Sequence, residues 1–159
     1  MSMALVSVTG GKKSQRHLVQ DVSYWAIYEL MHGNMANNIE VDINITNLCE
    51  REKVVGMCSW SEDNIRPRVF EIEIDKDLDD RELIKTVCHE MVHVKQYAKG
   101  ELRERYAPRH SLFWKSRRAN GYKYDNMPWE LEAWRLQEVL YKKYITACIS
   151  EYIGELRNG

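Results

Sequence analysis

A chain of 159 residues is long enough to bury one sizeable core and short for two. Its 44% hydrophobic and 30% charged residues exclude a disordered or fibrous chain, and a net charge of -1 excludes a global pull toward nucleic acid or membrane. Cys49, Cys58, Cys88 and Cys148 include no C-x-x-C pair, which argues against a disulfide framework or a cysteine-rich metal site and for reduced thiols in the cytoplasm.

Residues 1–20 carry no apolar run of signal-peptide length. Gly10-Gly11 followed by Lys12, Lys13 and Arg16 reads as a flexible polar arm, leaving residues 21–159 as the folded domain. Residues 22–31 follow helical spacing through Val22, Trp25, Ala26, Glu29 and Leu30, with Asp21 as a cap and His32-Gly33-Asn34 as the stop. Residues 39–45 alternate, with Ile39, Val41, Ile43 and Ile45 on one side, as a half-buried strand does. Residues 53–60 predict a second strand, 61–67 a polar turn, and 69–74 a third strand with Phe70, Ile72 and Ile74 inward. Short loops between these strands favour antiparallel pairing. A helix capped by Asp79 or Asp80 runs to about Lys99, with Gly100 just past its end. Residues 107–126 read as irregular, with a small hairpin between 112–114 and 121–124. Pro128 then opens a long helix to about Tyr152. No apolar stretch reaches the length of a membrane span.

Within the helix that ends near Lys99 stands His89-Glu90-Met91-Val92-His93, an H-E-x-x-H pattern. Residues four apart share a helical face, so both imidazoles can reach one metal ion, while Glu90 projects beside it as a general base suited to deprotonating water. Chance alone yields this pattern in roughly one of a few hundred chains of this length. The helix supplies context: Leu83, Val87, Met91, Val94 and Ala98 form a core stripe, and Thr86, His89, Glu90, His93, Gln96 and Tyr97 form a face unlike a solvated Lys/Glu surface. A catalytic zinc takes three protein ligands and one open position. Glu130, Glu132 and His110 are the candidates for the third. Glu130 and Glu132 sit about 200° apart around their helix and flank its apolar stripe on opposite sides, so periodicity does not choose between them.

The H-E-x-x-H run through Tyr97, together with Pro128-Trp129-Glu130-Leu131-Glu132-Ala133, resembles the SprT-like zinc peptidases, above all their small phage-encoded members, and the wider gluzincins. The resemblance covers roughly residues 54–144. It implies a zincin-like (minigluzincin or SprT-like) α+β domain, with a small antiparallel sheet packed on the H-E-x-x-H helix and a long C-terminal helix. It also implies a zinc metallopeptidase with Zn2+ as cofactor, protein or peptide as substrate, and the host cytoplasm as setting if phage-encoded. The gluzincin E-x-x-A spacing matches Glu130 and Ala133 and so favours Glu130 as third ligand, with Glu132 as runner-up. SprT and Spartan proteins instead use a histidine in a segment like H-G-x-x-F, which Arg109-His110-Ser111-Leu112-Phe113 resembles in part but without the glycine. The acidic residue that often follows the gluzincin ligand by four is replaced here by Trp134.

Tyr97, Tyr122, Tyr124 and His110 are candidates to stabilise an oxyanion. The stretch 95–123, bounded by Lys95 and Lys123, holds nine Lys/Arg and two Glu, a local net of +7, among Tyr97, Tyr106, Phe113, Trp114 and Tyr122. It reads as a solvated flap or as a grip for nucleic acid, the latter fitting a protease brought to nucleoprotein. A zinc-bearing binding module without activity and a hydrolase of a non-peptide amide are the competing classes. On the last helix, Leu136, Leu140, Tyr144 and Ala147 form one stripe, and Trp134, Tyr141, Ile145 and Cys148 another. They read as a broad core face of a monomer, with a dimer contact as the alternative.

Overall fold

The computed structural model describes residues 2–60, 66–106 and 109–158. In chain order they form β1 (Leu5–Gly10), α1 (Lys13–Leu30), α2 (Gly33–Asn37), β2 (Glu40–Thr46), α3 (Leu48–Glu52), β3 (Gly56–Ser59), β4 (Val69–Asp75), α4 (Asp80–Ala98), β5 (Leu102–Arg105), β6 (Ser111–Trp114), β7 (Arg117–Arg118) and α5 (Pro128–Asn158). The fold is α+β.

Period-two alternation builds the main sheet, in the order β1-β2-β4-β3. Val6, Val41, Ile43, Ile45, Phe70, Ile72 and Ile74 are buried on one face, while Ser7, Asp42, Asn44 and Glu71 look outward. The sheet is mixed, not antiparallel as expected: β1–β2 and β2–β4 pair parallel, and β3–β4 pairs antiparallel. Helices within the connections carry the chain back across the sheet, which a reading based on short loops could not anticipate. The turn expected at 61–67 falls mostly outside the described residues.

The flexible arm expected over residues 1–20 is also corrected. Ala4 and Val6 are buried, β1 pairs with β2, and α1 begins nine residues earlier than expected. Gly10 and Gly11, at φ +77 and +57, form a tight turn, not a hinge; a side chain on Gly10 would meet Ile45 O at 2.1 Å. Arg16 clamps this corner through Nη1 bonds to Gly10 O and Gly11 O at 2.9 and 2.8 Å.

One apolar core joins the inner sheet face to α1, α4 and α5. Val19, Val22, Ala26 and Ile27 of α1 lie buried, as do Ala133, Leu140 and Tyr144 of α5. Leu136, Tyr141, Ile145 and Cys148 pack partly against the same core, whereas Ala147 is exposed. The Tyr144 hydroxyl bonds Asp21 Oδ2 at 2.6 Å, placing Asp21 inside α1 and not at its cap.

Between α4 and α5, β5, β6 and β7 form a second, antiparallel sheet. The expected hairpin with 121–124 is replaced by pairing of β6 with β5 and β7. Lys115 and Ser116, at φ 49 and 70, reverse the chain directly after Trp114. Leu102, Ala119 and Trp129 form a small core beneath this sheet, so it is fastened to the start of α5. All four cysteines are free, and no helix among the described residues is long and apolar enough to cross a membrane.

Candidate metal centre

Helix α4 starts where expected: the Asp79 side chain accepts the Glu82 N–H at 2.8 Å, and Asp80 and Glu82 suit the positive end of the helix. Gly100, at φ +72, follows its C-terminus. The expected stripe of Leu83, Val87, Met91, Val94 and Ala98 is buried. This fixes the rotation of α4 and turns His89, Glu90 and His93 toward α5 and β3. Pro128 opens α5, its missing N–H costing nothing at that position, and places Glu130 in the first turn.

Three donors converge. Glu130 Oε2 lies 3.1 Å from His89 Nε2, Glu130 Oε1 lies 3.0 Å from His93 Nε2, and the two Nε2 atoms are 3.3 Å apart. His89, His93 and Glu130 thus form a His-His-Glu group whose donors all lie within 4.8 Å of one another. Donors around a tetrahedral zinc with bonds of about 2.0–2.1 Å stand roughly 3.3 Å apart, so the spacing and the two-imidazole, one-carboxylate chemistry both suit such an ion.

Of the three candidates for the third position, the structure brings Glu130 to the histidines. Glu132 turns to Lys95 Nζ at 2.9 Å and Gln96 Nε2 at 3.1 Å. His110 is exposed and lies 3.5 Å from Glu104 Oε2 on the second sheet.

Each imidazole is held from behind. His89 Nδ1 meets Gln137 Oε1 at 2.8 Å, and His93 Nδ1 meets Gln96 Oε1 at 2.8 Å. An amide oxygen can only accept, so both rings present the N–H at Nδ1 and leave Nε2 for the centre. Trp134, standing where the resemblance leads one to expect an acid, lies against the His89 ring with centroids 6.4 Å apart, and Gln137 supplies the acceptor instead. Gln137 was missed in the sequence. Its position seven residues after Glu130, two turns along the same helix face, was the available signal.

Burial sets the electrostatics. It raises the Glu90 pKa, and the His93 and His89 charges only partly oppose this. Burial alone would lower the His93 pKa, but the hydrogen bond it donates to Glu130 and the charges of Glu90 and Glu130 push it up to about 9. For Glu130, burial is outweighed by hydrogen bonds from His89 and His93, which bring it down to about 2.

These groups form the floor of a cleft of about 700 Å3. Val55, Gly56 and Cys58 of the β3 segment form one wall, and Tyr124, Trp134 and Gln137 border the other. Gly56 also escaped the sequence reading. A Cβ there would meet Glu90 Oε1 at 2.6 Å, so β3 reaches the carboxylate only because position 56 has no side chain. Among the tyrosines considered, Tyr97 and Tyr124 line the cleft. Tyr97 gives its hydroxyl to Glu104 Oε1 at 3.3 Å, and burial raises the Tyr124 pKa with help from Glu130 and Glu90. Within the basic stretch, Lys95 is largely buried in ion pairs with Glu101 and Glu132, while Trp114 packs on Trp129 with centroids 6.1 Å apart. Arg117 and Arg118 are exposed.

No protein-family model, curated protein or solved structure matches this chain.

Proposed function

We propose that this chain is a zinc-dependent metallopeptidase with a zincin-like, SprT-type domain. The observation that carries the reading is the convergence of His89 Nε2, His93 Nε2 and the Glu130 carboxylate beside the buried Glu90, on the floor of an open cleft. His89, His93 and Glu130 would hold the zinc ion, which would supply Lewis acidity toward a carbonyl oxygen and acidify a water in the cleft. Glu90, with its raised pKa, takes the proton from the attacking water and returns it to the leaving amine. Tyr124, at the cleft border and kept protonated, donates to the developing oxyanion.

The cleft wall favours a peptide over other amides. β3 is an edge strand of the main sheet, and an extended peptide can add to such an edge through main-chain hydrogen bonds. A binding module without activity would not need a buried carboxylate beside the histidines, since burying an extra acid there costs stability.

Digestion of casein or a peptide library, with and without a chelator, tests the reading. Chelation abolishes cleavage, and Glu90→Gln retains stoichiometric zinc while losing hydrolysis. Undiminished cleavage by Glu90→Gln would overturn the assignment.

A further inference from the structure

Ligation through His93 Nε2 requires the proton to sit on Nδ1. The group facing Nδ1 is the side-chain amide of Gln96, which can present either its oxygen or its NH2. The wrong end would force the wrong tautomer and take the lone pair away from the centre. On His93, therefore, the metal site depends on what decides the direction of the Gln96 amide.

Two acceptors decide it. Gln96 Nε2 donates to Trp129 O at 2.9 Å and to Glu132 Oε1 at 3.1 Å. Reversing the amide would set its oxygen against a carbonyl and a carboxylate and lose both bonds. Gln96 is 0% exposed, so solvent cannot replace them. Glu132 is anchored in turn by Lys95 Nζ at 2.9 Å, which also holds Glu101 Oε1 at 2.9 Å. The His89 side has no equivalent: Gln137 is only partly buried, and its Nε2 contacts Glu138 Oε1 at 3.5 Å.

We propose that Gln96 and Glu132 are positioning residues for the metal centre: Glu132, with the Trp129 carbonyl, orients the buried Gln96 amide so that its oxygen fixes His93 as the Nδ1–H tautomer with Nε2 free. The inference rests on His89, His93 and Glu130 being the metal site. It gives a role to the acid that the sequence left as runner-up for ligand, one that acts through Gln96 and not on the ion. Glu130 and Glu132 then serve one site from the same helix turn, one toward the centre and the other behind it.

Zinc affinity, measured by competition with a chromogenic chelator on the full chain, is the test. Gln96→Met weakens binding about 10- to 100-fold. Glu132→Met weakens it less, since Trp129 O still holds the amide. Tyr144→Phe, which loses the distant bond to Asp21, lowers the melting temperature and leaves affinity unchanged. In the zinc-loaded parent, His93 Nδ1–H gives a slowly exchanging imidazole resonance that Gln96→Met loses. Affinity within twofold of the parent in both methionine variants would overturn the inference while leaving the metal site intact. A parent chain that binds no zinc would overturn the site and the inference together. Should Gln96→Met fail to fold, Glu132→Met carries the test, and its unchanged affinity would refute the role of Glu132.

Discussion

Replacing Gly56 with alanine tests whether β3 is set against the proposed base as closely as described. The added Cβ would lie 2.6 Å from Glu90 Oε1 and 2.9 Å from Thr86 Cγ2, whereas ordinary contact begins at 3.4 Å. Glu90 or β3 must therefore shift by about 0.8 Å. Glu90 is buried between α4 and the cleft wall, so the shift cannot be absorbed in solvent. Overpacking of this kind costs about 1–3 kcal/mol, and each kcal/mol lowers the melting temperature by roughly 2–4 °C in a chain of this size. Misplacing a reacting group by close to 1 Å costs on the order of 100-fold in rate. The expected outcome is a modest loss of thermal stability with a far larger loss of kcat/KM on a peptide found by library digestion. Gly154→Ala is the control: a Cβ there meets nothing within 4 Å, and alanine favours the helix by up to about 1 kcal/mol. A Gly56→Ala protein with the parental kcat/KM and melting temperature would refute the close approach.

The remaining predictions concern the ligands, their protonation and the N-terminal strand. Glu130→Ala abolishes stoichiometric zinc binding at micromolar metal, whereas His110→Ala retains the parental affinity; metal analysis after gel filtration decides between them. The His93 pKa, raised from 6.5 to about 9 in the folded, metal-free protein, contributes stability that is complete below pH 6.5 and lost as pH rises through about 9. The melting temperature of chelator-treated protein accordingly falls across that window, while zinc affinity rises because the ion displaces the same proton; two flat profiles would contradict the pairing of His93 with Glu130. Deleting residues 2–11 removes β1 and the buried Ala4 and Val6, at a cost of at least about 3 kcal/mol in urea denaturation, where a flexible arm would cost nothing.

Local patterns were the most readable part of this chain. The α4 stripe, its Asp79 cap and the Ile39–Ile45 alternation each depend on neighbours within a few residues, and each reappears in the structure. What failed depends on distant partners. Parallel pairing of β2 with both β1 and β4 is set by where the helices pack, and no spacing within a strand records it. The N-terminal segment is ambiguous in the sequence because a Gly10-Gly11 pair suits a loose arm and a tight turn at positive φ equally well. At the site, the His89-Glu90-x-x-His93 geometry follows from helical periodicity alone. The choice of Glu130 over Glu132 did not, because both flank one stripe; the packing of α5 against α4 selects the first for the histidines and leaves the second to Lys95 and Gln96.

The donors on α4 and α5 are far apart along the chain: His89 and Glu130 lie 41 positions apart, with the end of α4 and all of the second sheet between them. An ion held by both would act on the denatured chain as a cross-link closing that loop, and such a closure restricts the unfolded ensemble by about 4 kcal/mol. Metal would thus work as a removable clasp on an entire lobe. Stripping it would loosen β5, β6, β7 and the first turns of α5 together and leave the mixed main sheet beneath α1 in place, so the two regions should differ most in hydrogen-exchange rate when the clasp is open.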